Sequence, residues 1–141
     1  MNFDRDKLVA ELSRDEGRIP HAYKDSEGYL TIGVGHLIDK NRGGRLPEFI
    51  IDLLLEYDID AKVNQIKNAL PWVEKLSDAR QRVIINMVFN LGLTGFQKFR
   101  NTIAAIKAED WDVAAAEMLN SKWARQVGPR AERLAQMMRE G

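Results

Sequence analysis

The chain has 141 residues, 45% of them hydrophobic, which is enough for one domain with a real core. It has no cysteine and only His21 and His36 as nitrogen ligands, so a disulfide framework and a thiol nucleophile are excluded and neither a metal site nor a cofactor is expected. The 21 acids and 21 bases cancel, but unevenly: residues 1–60 hold 13 acids against 8 bases, and residues 61–141 hold 8 acids against 13 bases. Scattered surface charge accounts for such an asymmetry as well as steering of an anionic ligand toward the C-terminal half does. No apolar run approaches the roughly 18 residues of a membrane span, and "MNFDRDKLVAELSRDEG" interleaves charges where a signal peptide needs an apolar block. Neither membrane insertion nor a signal peptide is expected.

In "DRDKLVAELSR", Leu8, Val9 and Leu12 recur at helical spacing, and Gly17 followed by Pro20 supplies a stop, so a first helix ends close to Glu16. Residues 18–38 change to a period of two and read as a small β-meander turning at "DSEG". "NRGGRLP" (41–47) is a loop, and Pro47 suits the first position of a long helix running to Pro71. Further helices are expected at "DARQRVIINMVFNLG" after a Ser77 cap, at "FQKFRNTIAAIKA", at "WDVAAAEMLNS" after an Asp110 cap, and at "PRAERLAQMMRE" after Pro129. Trp72, Trp111 and Trp123, with Met87 and Met118, fall on apolar helical faces and read as core. The fold class is α+β, mostly α: one domain over 1–141, with a β-containing lobe at 14–46 and a helical lobe of 1–13 plus 71–141. Helix 47–70 bridges the lobes, and a ligand is expected in the cleft between them.

Glu16 closes a helix, where the negative end of the backbone dipole disfavours a carboxylate and suits a proton donor. Asp25 lies at a turn among Ser26, Glu27 and Gly28, a wetter setting that suits a charged oxygen. Two carboxyl groups in unlike surroundings fit acid and base roles. Thr31 would share a strand face with Tyr29, leaving its hydroxyl free to hold a water. On spacing alone, surface acids and a β-propensity threonine are the simpler reading. Gly33 and Gly35 flank Val34 in a strand where a side chain would crowd whatever approaches the backbone, a glycan or the long helix. "GVGH" lacks the Lys of a phosphate loop and the third Gly of a dinucleotide fingerprint.

Glu16, eight residues, Asp25, five residues and Thr31, set in "DEG", "YKDSEGY" and "TIGVGH", strongly resemble the T-even phage lysozymes, the endolysins of glycoside hydrolase family 24. The likeness covers nearly the whole chain through "DIDA", "INMVFNLGLTGF", "WDVAA" and "SKWARQVGPRAER". It implies the phage lysozyme fold and a muramidase that cleaves the β-1,4 bond between N-acetylmuramic acid and N-acetylglucosamine in peptidoglycan, with inversion. By the same resemblance Glu16 is the general acid, and Asp25 with Thr31 positions the attacking water. Leu37, Phe89 and Thr102 contact substrate, Thr102 standing where the relatives have Ser. An Asn sugar contact of the family falls on Glu117. Arg130 braces the catalytic acid. The resemblance further implies a monomer, made in the host bacterial cytoplasm and acting at the cell wall, which a separate pore-forming protein would let it reach. The loop after His36 is shorter than in these relatives, and the chain is neutral where they are basic.

On the long helix, Glu48, Asp52, Glu56 and Asp60 recur every four residues and share a solvated face. Asp58 projects instead among Ile50, Ile51, Leu54 and Leu55, where a lone carboxylate is expensive to bury. The family sets a His against this Asp, so a partly buried, structural His36–Asp58 ion pair is expected. A nucleic-acid-binding helical domain is the rival from another class, because "NSKWARQVGPRAERLAQMMRE" is basic and could pass for a turn and a recognition helix. The acidic first half argues against nucleic acid as a partner. Two nearer alternatives keep the fold: a wall-binding module with an idle site, and a lytic transglycosylase, for which Asp25 would be dispensable.

Overall fold

A computed structural model describes residues 4–39 and 46–141, so most of the loop expected at 41–47 lies outside the described residues. The described chain is an α+β fold, mostly helical. Helix α1 (Arg5–Glu16) is followed by strands β1 (Ile19–Lys24), β2 (Leu30–Gly33) and β3 (His36–Asp39), and then by the long helix α2 (Glu48–Ala69). A short 3₁₀ helix (Pro71–Lys75) leads to α3 (Asp78–Gln97), α4 (Arg100–Lys107), α5 (Trp111–Leu119), α6 (Lys122–Val127) and α7 (Pro129–Glu140). The chain divides into two compact units, the first ending at Asp52 and the second spanning Leu53–Gly141. Among the described residues no helix is long and apolar enough to cross a membrane.

In the first unit, Asp4 caps α1 by accepting the Lys7 N–H at 3.0 Å, which satisfies one of the orphan donors of the first turn. Gly17, at φ 78°, ends that helix directly after Glu16, as Gly17 and Pro20 led one to expect. The three strands form an antiparallel meander in the order β1-β2-β3. Its register sets Thr31 opposite Tyr23 on one side and Leu37 on the other.

The second unit holds the buried core: Ile84 and Met87 of α3, Ile106 of α4, Met118 of α5 and Met138 of α7 are all at most 1% exposed. Side-chain caps start α3 and α5: Ser77 accepts the Arg80 N–H at 3.3 Å and Asp110 the Val113 N–H at 3.2 Å. Two expected boundaries are corrected. Helix α3 is two helical segments that meet at Gly92, whose φ of 73° and ψ of 162° break the helix where the expected one ends; its second segment includes Phe96, so the helix expected from Phe96 starts only at Arg100. Helix α6 was not expected, because six residues are too few to show an apolar period; Ser121 caps it and Gly128, at φ 56°, closes it.

The tryptophans also divide. Trp123 is core, with its ring edge-on to Phe99 at 6.0 Å and its indole N–H donating to Asn90 Oδ1 at 2.9 Å. Trp72 and Trp111 are only half-buried, and each carries a cation on its face, Lys107 at 5.4 Å and Arg80 at 3.7 Å. Arg80 also donates through Nε to the Met138 carbonyl at 2.9 Å, tying the end of α7 to the start of α3.

Candidate active site

A cleft of ≈ 280 Å³ opens in the first unit, lined by Glu16, Tyr23, Asp25, Glu27, Tyr29, Thr31, Gly35 and Leu37. Its make-up follows from the sheet register, because Tyr23, Thr31 and Leu37 stand side by side on β1, β2 and β3 and so share one face of the sheet. The turn between β1 and β2 contributes Asp25 and Glu27, and Glu16 comes from the last residue of α1. The helix stop at Gly17 and the turn at Gly28, with φ 87°, are the two local devices that bring Glu16 to one cleft with Asp25 and Glu27.

Asp25 builds the turn as well as lining it. Its backbone N–H donates to the Tyr29 carbonyl at 2.9 Å, and its carbonyl accepts the Gly28 N–H at 2.9 Å. Its side-chain Oδ1 accepts two further backbone donors, Glu27 N–H at 2.9 Å and Tyr29 N–H at 2.8 Å. Oδ2 is the oxygen that the turn does not use. The expected wetter setting for Asp25 is thus corrected: the residue is half-buried and held by its own turn, because an Asp side chain folds back readily onto the N–H groups that follow it. Thr31 is 4% exposed, and its hydroxyl is not free. It donates to the Tyr29 carbonyl at 3.2 Å, which turns the lone pairs of Oγ1 toward any other partner.

The two glycines before His36 differ from expectation. Val34 and Gly35 form the turn between β2 and β3 and not a strand, and Gly33 has nothing within 4 Å of where a Cβ would stand. Gly35 does have a close neighbour within the protein, the Glu16 side chain. A Cβ there would lie 2.9 Å from Glu16 Oε2, 3.2 Å from Cδ and 3.3 Å from Cγ. The glycine spacing signalled a close approach but not its partner.

The remaining expected residues are spread over both units. Leu37 lines the cleft. Phe89, on α3, is 39% exposed. Thr102, on α4, is buried along a second cavity of ≈ 540 Å³ that also includes Glu117, Asn101 and Trp123. Glu117 there meets Asn101 Nδ2 at 3.5 Å, a long contact for a hydrogen bond. Arg130 is half-buried at the start of α7 and is no loose solvated residue: Nε donates to Asn86 Oδ1 at 2.9 Å, and Nη2 donates to the same oxygen at 2.6 Å and to the Asn86 carbonyl at 3.3 Å. Asn86 is a partner that sequence reasoning missed. His36 opens β3 in the first unit, and Asp58 lies on α2 in the second.

A mostly helical chain with three carboxyl groups and a threonine along one sheet-floored cleft has side chains able to exchange protons with a bound molecule. Comparison with known proteins supplies the class of protein. The phage lysozyme family model matches residues 13–139. Two probable T4-type lysozymes of Dictyostelium discoideum are 33% and 30% identical to the chain, each alignment covering 92% of both partners. A peptidoglycan hydrolase, gp36 of Pseudomonas phage phiKMV, is 30% identical over 91% of this chain and 14% of its own length. The chain belongs to the phage lysozyme family and is a lysozyme-type hydrolase.

Proposed function

We propose that the chain hydrolyses peptidoglycan at the β-1,4 bond between N-acetylmuramic acid and N-acetylglucosamine, inverting the anomeric carbon. The observation that carries this reading is the common cleft of Glu16, Asp25 and Thr31. Glu16 protonates the leaving glycosidic oxygen as general acid. On the other side of the sugar, a water donates its hydrogens to Asp25 Oδ2 and Thr31 Oγ1 and turns a lone pair to the anomeric carbon. The Thr31 hydrogen bond to the Tyr29 carbonyl supports this role, since it commits the hydroxyl to accept from the water. As the bond to the leaving oxygen breaks, the water oxygen bonds to carbon and passes its proton to Asp25.

Leu37, Phe89 and Thr102 are assigned to substrate binding by the family resemblance, and Arg130, fixed by Asn86, to orienting Glu16. A structural ion pair of His36 with Asp58 belongs to the same proposal, tested by a double-mutant cycle of His36→Ala and Asp58→Asn: a melting-temperature coupling is expected, and strict additivity would refute the pair. The protein acts as a monomer on glycan strands at the cell wall, reached with the help of a separate pore-forming protein.

The test of the reaction is mass spectrometry of muropeptides released from purified sacculi. Reducing-end muramic acid is the expected product. A 1,6-anhydro end would make the protein a lytic transglycosylase, and no release would make it a wall-binding module.

A further inference from the structure

We infer that Gly35 is a positioning residue for the catalytic acid: its bare backbone is the surface against which the Glu16 carboxyl is set. This rests on the reading of Glu16 as general acid. The inference comes from a contrast between two glycines of the same hairpin, Gly33 at the end of β2 and Gly35 in the turn that follows. Gly33 and Gly35 have nearly the same left-handed backbone, φ 68° and 64°, so a side chain at either carries a similar conformational penalty. Their surroundings differ. A Cβ on Gly33 meets nothing within 4 Å, whereas a Cβ on Gly35 overlaps Glu16 Oε2 at 2.9 Å and crowds Cδ and Cγ at 3.2 and 3.3 Å.

Backbone conformation alone therefore explains a glycine at 33, but at 35 the space is also taken. What takes it is the far end of a flexible side chain. Such an end yields at little cost in stability, by rotating about its own bonds, so an added methyl would move the carboxyl without unfolding the hairpin. The cost falls on proton delivery, because a donor must stay within hydrogen-bond reach of the leaving oxygen. Misplacement by about 1 Å can cost about 10²-fold in rate. Gly35 neither touches the reacting atoms nor moves a proton, and its effect passes entirely through Glu16.

The experiment compares Gly35→Ala with Gly33→Ala, reading kcat and KM on soluble peptidoglycan fragments and the thermal melt of each variant. Gly33→Ala supplies the backbone penalty without the contact. The expected result is a kcat for Gly35→Ala about 10²-fold below that of Gly33→Ala, with KM and melting temperature of the two in agreement. Equal kcat values would overturn the inference, as would a change in KM alone. So would a Gly35→Ala that fails to fold where Gly33→Ala folds, since the contact would then serve stability. If neither alanine variant folds, asparagine, which tolerates positive φ best among side-chain-bearing residues, replaces alanine at both positions under the same criteria. Glu16→Gln separates the two layers. If it keeps parental kcat, the acid assignment fails and takes this inference with it; if it is inactive while the glycine variants match, only the positioning role falls.

Discussion

The Tyr29 N–H donates to Asp25 Oδ1 at 2.8 Å, and the Glu27 N–H reaches the same oxygen at 2.9 Å, so one oxygen of the carboxylate builds the turn while the other, the one proposed to act on water, stays outside it. The two roles can be separated by substitution. Asp25→Asn keeps a carbonyl oxygen able to accept both N–H groups but removes the base that takes a proton from water. It is expected to lose activity with a change in unfolding free energy below about 1 kcal/mol. Asp25→Ala removes both turn bonds and should also cost about 1 to 3 kcal/mol. Urea melts paired with a cell-wall turbidity assay check this, and equal stability of the two variants would refute the turn-building role.

Glu16→Gln keeps the shape of the side chain at the end of α1 but cannot deliver a proton to the leaving oxygen. Loss of general acid assistance is expected to cost at least about 10² to 10⁴-fold in lysis rate, with the melting temperature near that of the parent. Clearance of a wall suspension at a near-parental rate would remove Glu16 from the mechanism.

The Arg130 guanidinium makes two bonds to Asn86 Oδ1 and one to its carbonyl, a fork that an ammonium cannot reproduce. Asn86→Leu and Arg130→Lys should each cost about 1 to 3 kcal/mol in chemical denaturation, as expected for a half-buried, charge-assisted hydrogen bond. Because each substitution breaks the same contact, the double variant should cost clearly less than the sum. Strict additivity would show that the pair is not coupled.

Local signals made much of this site legible, and contacts between distant residues did not. Gly17 and Pro20 fixed the end of α1 at Glu16 because a left-handed glycine and an imino acid punctuate a chain wherever they occur. "DSEG" fixed the turn at Asp25 for the same reason. What Asp25 Oδ1 does inside that turn, or where the Thr31 hydroxyl points, depends on side-chain rotation that a period of two does not record. The Gly35 contact with Glu16 joins a hairpin turn to a helix end, and the Asn86 bond to Arg130 spans 44 positions. Spacing identifies the partner in neither case. The short α6 was lost for a third reason, since one and a half turns cannot show a helical period.

Stereochemistry gives the sharpest test of how Asp25 and Thr31 act together. If Asp25 attacked the sugar directly, its carboxyl would stand about 5 to 5.5 Å from that of Glu16 and the first product would retain the β configuration. If instead it holds a water, the separation is about 6.5 to 9.5 Å and the first product is the α anomer. Two features favour the water. Asp25 is held by its turn through Oδ1, which restrains the reach of the carboxylate, and Thr31 presents an accepting oxygen in the same cleft that a direct attack would not require. Proton NMR of the first turnovers, recorded before the anomers equilibrate, should therefore show α product. An initial β signal would refute inversion while leaving the hydrolase itself intact. Thr31→Val adds a second arm: it keeps the β-branched shape in the buried strand but removes the accepting oxygen, and is expected to lower kcat about 10²-fold or more, as for other groups that position a reactant. A Thr31→Val enzyme with parental kcat would mean that the water needs no second holder.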